Sequence, residues 1–316
     1  MTDSTDVLVL GQKFHGLDPG AYAATLAERL PDYDVRVART PERERTLVEG
    51  ATTVTGVEFS EALLDRAANL ELFACAYAGY DHLPLDSMAE AGVAVTTAAG
   101  LHGPNVAEQA IGFVLTFARR LQEGWRRQQR REWRAYPTGE LAGSTVGIVG
   151  LGAIGQAIAR RLDGFEVETV GVRHSPEKGG PTDTVLGYGE LDEALARADY
   201  LLLACPLTDE TWGLVGAAEL ATLSPEAVLV NVARGEVVDT DALVDALRRN
   251  QLGGAALDVT DPEPLPSDHP LWTFENVLLT PHNAGFTPNY HDRLADIVGE
   301  NVERLASGTE LRNRVR

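Results

Sequence analysis

Val146-Gly147-Ile148-Val149-Gly150-Leu151-Gly152-Ala153-Ile154-Gly155 is the stretch on which the fold turns. An apolar run ends in three glycines spaced G-x-G-x-x-G, and an Ala/Arg-rich stretch with helical character follows. In that strand-turn-helix context each glycine has a separate task. Gly150 permits the tight turn, Gly152 lets the backbone approach a pyrophosphate, and Gly155 lets the helix lie close to the strand. The N–H groups and dipole at the helix start favour negative charge. A dinucleotide is therefore the expected ligand, and no metal site is expected.

Val167-Glu168-Thr169-Val170-Gly171-Val172 reads as the next strand. At its end an NAD site usually places Asp or Glu, about 20 residues beyond the glycines, to hold the adenosine ribose. This chain has Arg173-His174-Ser175 there. A cation cannot accept a ribose hydroxyl, whereas a guanidinium matches a 2′-phosphate. NADP(H) is the expected cofactor, with NAD(H) possible, and His174 and Ser175 add donors.

Further strands are expected at 6–10, 34–37, 52–56, 72–76 and 93–96, with helices at 19–30 and 60–68, the second capped by Ser60. Strands alternating with helices indicate parallel βαβ units, so the first hundred residues form an α/β unit of their own. Residues 106–120 read as a long apolar helix. Gln122 to Arg134 is Arg-dense, with Trp125 and Trp133, and reads as an arm suited to a dimer contact because tryptophans are costly to expose. Strands follow at 200–204, 227–230, 254–259 and 277–280, a Pro-rich loop at 261–270, and a final helix at 290–306. Ligands of open parallel sheets bind beyond the carboxyl ends of the strands. Arg173, Cys205, Arg234, Asp258 and His282 all fall there.

With 47 acidic and 27 basic residues, the net charge of −20 argues against nucleic acid, whose phosphates need a positive surface. Only Lys13 and Lys178 are lysines. An acidic, lysine-poor chain suggests a very salty cytoplasm, where salt screens its self-repulsion. No apolar run is long enough for a membrane span, no signal peptide is expected after the acidic start Met1-Thr2-Asp3-Ser4, and Cys75 and Cys205 read as buried free thiols. These features point to a cytoplasmic protein.

Reduction of a 2-keto acid by hydride needs a cation for the carboxylate and a proton donor at the carbonyl oxygen. His282 suits the donor, Glu263 the partner that favours its imidazolium, and Arg234 the clamp. Composition alone does not select His282 over His15, His82, His102, His174, His269 or His291; its position after the last strand does. Arg234 could equally pair at the surface, and Glu263 could be solvated.

The chain resembles the D-isomer-specific 2-hydroxyacid dehydrogenases. The resemblance rests on Gly150–Gly155, Asn231-Val232-Ala233-Arg234-Gly235, Asp258-Val259 with Glu263-Pro264, and Thr280-Pro281-His282-Asn283-Ala284-Gly285, in the family's order and spacing. It implies Arg234 as substrate clamp and Glu263–His282 as acid/base pair. It implies that Ala78 and Gly79, in Ala78-Gly79-Tyr80-Asp81, offer backbone N–H groups to the substrate carboxylate. It also implies cofactor contacts at Ala153, Ile154, Pro206, Thr211, Val232, Ala233 and Asp258, besides Cys205, Arg234 and His282.

The implied architecture is two doubly wound, Rossmann-like parallel-sheet domains with a cleft that closes over the ligands. Residues 1–100 plus 287–316 would form the substrate domain, and 101–286 the dinucleotide domain with a dimerisation arm near 105–140. A homodimer is expected. The missing acid at Arg173 departs from the family pattern and supports NADP(H). Phosphoglycerate-oxidising relatives often carry a further C-terminal domain, which is not expected here, and formate-oxidising relatives lack the acid that Glu263 supplies. The expected activity is therefore reduction of 2-keto acids to D-2-hydroxy acids. A glyoxylate/hydroxypyruvate reductase is the alternative, with Tyr77, Tyr80, Leu101 and Trp133 as candidate pocket walls. A dinucleotide-sensing interaction protein with little turnover is the alternative of another class.

Overall fold

The computed structural model describes residues 5–12, 18–80 and 82–315. The acidic start, Lys13, His15 and Asp81 lie outside the described residues. The chain divides into two compact units, one of Met1–Leu101 with Phe286–Arg316 and one of His102–Gly285.

The first unit holds a five-stranded, wholly parallel sheet of order β2-β1-β3-β4-β5. The strands are β1 (Thr5–Leu10), β2 (Val35–Ala38), β3 (Ala51–Gly56), β4 (Leu72–Cys75) and β5 (Ala94–Thr96). Alternate residues of β1 serve opposite faces, as the pleat requires. Val7 and Val9 join Tyr22, Leu26, Leu294 and Val298 on one side, while Leu8 and Leu10 join Val54, Phe73 and Met88 on the other. Both faces are thus covered, which is why β1 and β4 read as continuous apolar runs.

The helix Pro19–Arg29 starts where the Asp18 carboxylate accepts from the Ala21 N–H at 3.0 Å. It lies against the last helix, Tyr290–Ser307, with Arg29 bonded to Glu303. Within that last helix Tyr290 donates its hydroxyl to the Ala76 carbonyl at 2.6 Å, fixing the exit of β4. The helix expected from Ser60 to Ala68 is a correction: it covers only Glu61–Leu64, and the Ser60 side chain makes no cap. Tighter bonds from Arg66 to Leu63 and from Ala67 to Leu64 end it, bringing Leu70 into the core ahead of β4.

The second unit holds a seven-stranded parallel sheet of order β12-β11-β10-β9-β6-β7-β8. Its strands are β6 (Thr145–Val149), β7 (Glu168–Val172), β8 (Thr184–Leu186), β9 (Tyr200–Leu203), β10 (Val228–Asn231), β11 (Gly254–Leu257) and β12 (Val277–Leu279). The strand order reverses between β6 and β9, the switch point at which open sheets bind ligands. β8 escapes sequence reading because three residues between Gly/Pro/Thr-rich turns carry no usable period. The apolar helix spans Gly103–Ala118 and packs on Ala153–Leu162. Gly103 makes the approach possible, since a Cβ there would sit 3.3 Å from the Ala153 carbonyl oxygen.

The arm is a helix, Leu121–Gln129, entered through Arg120 in the left-handed region at φ 50°. An exposed return without regular structure follows. Arg127 organises it, bonding Glu123 at 2.6 Å and the Arg134 carbonyl at 2.8 Å and lying over the Tyr136 ring. Trp125 is half exposed and Trp133 fully so. Among the described residues, no helix is long and apolar enough to cross a membrane.

Candidate active site

The turn after β6 is built as the glycine spacing requires. Gly150 has φ +98°, and a Cβ on it would meet the Cys205 backbone nitrogen at 2.5 Å. Gly155 lies so close to the turn that its Cβ would fall 1.9 Å from the Gly150 carbonyl oxygen. Gly152 differs: a Cβ there would meet nothing within 4 Å. It caps the helix Ala153–Leu162 and faces open space, which suits a phosphate at the helix start.

That space belongs to a cavity of about 660 Å³ lined by Gly150, Gly152, Arg173, Ser175, Lys178 and Tyr188, together with residues of the loop after β9. The size and the glycine floor fit a dinucleotide. Of the expected cofactor residues, Gly150, Gly152, Arg173, His174, Ser175, Pro206 and Thr211 line it. Thr211 is buried, and its hydroxyl donates to the Pro206 carbonyl at 2.6 Å and accepts from the Thr208 N–H at 2.8 Å. Its side chain therefore shapes the wall. Cys205 is buried behind the wall, and burial pushes its thiol up to about 11. Burial likewise raises the Tyr188 phenol to about 12. Both are neutral groups at ordinary pH. Ala153, Ile154, Gly155, Val232 and Ala233 are not among the lining residues.

At the other end of the same sheet edge, β12 leads into His282. Its backbone is left-handed, φ +51°, and its N–H donates to the Asp258 carbonyl at 2.7 Å. The buried Asp258 carboxylate accepts from the N–H groups of Asn283 and Ala284, each at 2.9 Å, and from the Thr280 hydroxyl. Asp258 thus holds the turn that presents the imidazole. Glu263 reaches the same place from the loop after β11. One carboxylate oxygen accepts from the Thr260 N–H at 3.1 Å, and the other lies 2.9 Å from His282 Nδ1.

His174 also pairs with a carboxylate, Glu210, at 2.8 Å. Three of the other described histidines serve otherwise: His82 bonds the Val57 carbonyl, His269 accepts from the Leu271 N–H, and His291 lies by the Tyr22 ring. Beside His282 and Glu263 a cavity of about 520 Å³ has an apolar wall of Pro264, Leu265, Trp272 and Leu279. Leu265, Trp272 and Leu279 carry no signal in the sequence, because a Leu or Trp by itself looks like ordinary packing.

Arg234 follows β10, the strand beside β11, and is exposed. Asn231 fixes its backbone: the amide nitrogen donates to the Arg234 carbonyl at 2.9 Å, while the amide oxygen accepts from the Ala233 N–H at 3.0 Å. The guanidinium rests on the Ala233 carbonyl at 2.6 Å. Ala78 and Gly79, in the first unit, are exposed just beyond β4, with open space where a Gly79 Cβ would be. Among the described residues no group of three or more His, Cys, Asp or Glu could hold a metal ion.

The family model described as "D-isomer specific 2-hydroxyacid dehydrogenase, NAD binding domain" matches residues 111–284. The chain belongs to the D-isomer specific 2-hydroxyacid dehydrogenases. It is an oxidoreductase with a dinucleotide-binding domain. Among curated relatives, a glyoxylate reductase of Thermofilum pendens is 37% identical over 255 residues, covering 78% of this chain and 75% of that protein. A glyoxylate reductase of Thermococcus litoralis is 32% identical over 270 residues, covering 83% and 81%. Among solved structures, a D-isomer specific 2-hydroxyacid dehydrogenase of Xanthobacter autotrophicus Py2 in complex with NADPH and MES is 30% identical, with a TM-score of 0.81 over 99% of this chain and 98% of that one.

In this D-2-hydroxyacid dehydrogenase, Lys178, Tyr188, Thr208, Asp209 and Glu210 also line the glycine-floored cavity, beyond the residues expected there. Lys178 alone carried a usable signal: it is one of two lysines and lies five positions beyond Arg173.

Proposed function

We propose that this dehydrogenase reduces 2-keto acids to D-2-hydroxy acids, with NADPH preferred over NADH. The observation that carries the reading is the His282–Glu263 contact at 2.9 Å on the sheet edge that also bears Arg234 and the glycine turn. A bound nicotinamide dinucleotide supplies the hydride. Gly150 and Gly152 leave room for its phosphates, and Arg173 stands where a ribose-binding acid would disfavour a 2′-phosphate. Arg234 holds the substrate carboxylate with its guanidinium fork. Glu263 accepts from His282 Nδ1, which leaves Nε2 to carry the proton given to the carbonyl oxygen. Asp258 and Thr260 hold the pair in place.

The apolar wall of Pro264, Leu265, Trp272 and Leu279 supports keto acids with a side chain larger than that of glyoxylate. The names of the curated relatives favour the second reading, a glyoxylate/hydroxypyruvate reductase. Cofactor absorbance followed with pyruvate, 2-ketoisocaproate, glyoxylate and hydroxypyruvate, each with NADPH and with NADH, separates them. Faster turnover of 2-ketoisocaproate with NADPH is expected. Glyoxylate as the best substrate establishes the second reading, and no turnover despite cofactor binding establishes a sensor.

Two further properties belong to the proposal. The exposed Trp125 and Trp133 of the arm support a homodimer, because so much aromatic surface is costly in water. The charge of −20 with two lysines supports adaptation to a concentrated-salt cytoplasm.

A further inference from the structure

This inference rests on the reading that the cavity after β7 takes the adenosine end of NADP(H). We propose that Lys178 is a specificity-determining residue there, the second cation of a subsite for the adenosine 2′-phosphate, set in place by Arg173.

The chain leaves β7 at Val172, passes Arg173, and folds into a short 3₁₀ turn, Pro176–Lys178. Two bonds close that turn, from the Lys178 N–H to the Ser175 carbonyl at 3.2 Å and from the Gly179 N–H to the Pro176 carbonyl at 3.0 Å. Gly179 adopts φ +61°, a conformation that L side chains rarely take, and so reverses the chain directly after the lysine. Its carbonyl accepts from Arg173 Nη1. Arg173 therefore latches the turn with one nitrogen, and its other N–H donors can serve a ligand.

The result is a cluster. Arg173, Ser175 and Lys178 line one cavity with Gly150 and Gly152. Two cations and a hydroxyl match a phosphate monoester, which carries close to two charges and three acceptor oxygens. They do not match a pair of ribose hydroxyls, which need an acceptor. Asp209 and Glu210 line the same cavity, and His174 covers Glu210 at 2.8 Å. With these carboxylates facing the site, a single guanidinium partly spent on Gly179 is weakly matched to a dianion, and a second cation is needed. The chain has 27 basic residues and only two lysines, yet one of the two stands here. An ammonium on a flexible stem adds a mobile point charge to the fixed guanidinium fork.

Calorimetric titration of 2′,5′-ADP and of 5′-AMP at one fixed KCl concentration tests this, using the full chain, Lys178→Ala, Lys178→Arg and Arg173→Ala. Lys178 is exposed, so its variants should fold, and a melting curve for each checks this. Lys178→Ala should weaken 2′,5′-ADP by about tenfold, as expected for one charge-assisted contact, and leave 5′-AMP unchanged. Lys178→Arg should restore most of the loss. Arg173→Ala should weaken 2′,5′-ADP at least as much, because it removes one cation and unlatches the other. If Arg173→Ala acts on 2′,5′-ADP alone and Lys178→Ala does not, the role of Lys178 is overturned while the NADP(H) reading stands. If the unaltered chain binds 2′,5′-ADP no more tightly than 5′-AMP, the NADP(H) reading falls and the inference with it.

Discussion

His282 Nδ1 lies 2.9 Å from a carboxylate oxygen of Glu263, and neither residue is placed there by its own strand alone. His282 is turned by the Asp258 carbonyl and carboxylate, and Glu263 is aimed by the Thr260 N–H. The pair is thus oriented by hydrogen bonds made around it, the arrangement expected of a proton-transferring group. His282→Ala should lower turnover by about 10²–10⁴-fold, the usual contribution of a positioned acid/base, with NADPH affinity nearly unchanged. Glu263→Gln keeps the size of the partner and removes its charge, so a smaller loss is expected. Steady-state rates beside a cofactor-fluorescence titration check both, and full activity in His282→Ala would remove it from the acid/base role.

The three glycines of the fingerprint should respond differently to a methyl group. Gly155→Ala places a Cβ 1.9 Å from the Gly150 carbonyl oxygen, a backbone atom that cannot move aside cheaply. A loss of about 2–4 kcal/mol of stability is expected from such overpacking. Gly152→Ala meets nothing within 4 Å and should cost about 1 kcal/mol or less, as for a change of helix cap. Its methyl would stand in the phosphate space, so dinucleotide binding should fail in a folded protein. Thermal denaturation and cofactor titration on the same two variants separate the effects. Equal destabilisation by both would contradict the packing described.

Cys205 gives a pH prediction. Burial disfavours its thiolate and pushes the group up to about 11, and burial raises Cys75 as well. The neutral thiol is therefore the form present near pH 8, and the reactive thiolate accumulates only as the pH approaches about 11. Iodoacetamide should leave the native protein unlabelled at pH 8, as read by intact mass, and should label both cysteines after denaturation. Rapid native labelling of Cys205 at pH 8, assigned by peptide mapping, would show that the wall behind Gly150 is open to solvent.

Salt should stabilise the fold. A net charge of −20 repels itself, and ion pairs such as Arg66 with Glu49 and Arg197 with Glu193 lie at the surface and are individually weak. Screening therefore removes more repulsion than attraction. The melting temperature should rise steeply between dilute buffer and molar KCl. A flat dependence would leave the acidic composition as a feature of the sequence with no role in salt adaptation.

Much of the site was legible in one dimension because its parts are local. Gly150, Gly152 and Gly155 act within six residues, and a period-two or period-3.6 pattern on either side suffices to recognise strand, turn and helix. The motif around His282 is similarly compact. Lys178 was harder to read, since its relation to Gly152 depends on how the turn after β7 folds back. The same holds for the apolar wall beside His282, where Leu265 comes from a loop and Trp272 from a single 3₁₀ turn, each too short to show a period. Thr211 lines the glycine-floored cavity as expected of a residue near the cofactor, and only the folded loop after β9 shows that its hydroxyl is bonded to Pro206 and Thr208. Ser60 was read as a helix cap, and the demand of Leu70 for the core ended that helix after one turn.

The linear chain alone determined that two parallel α/β units would form and that a dinucleotide-binding turn would follow one of their strands, because apolar spacing and glycine placement act through nearest neighbours along the backbone. Tertiary structure decided which carboxylate meets which imidazole, which hydroxyl is spent on its own loop, and which cations share a cavity. The first depends on a distance between residues 19 positions apart, His282 and Glu263, and the others on how the loops after β9 and β7 fold back, so each is fixed only once the strands have paired and their loops have closed.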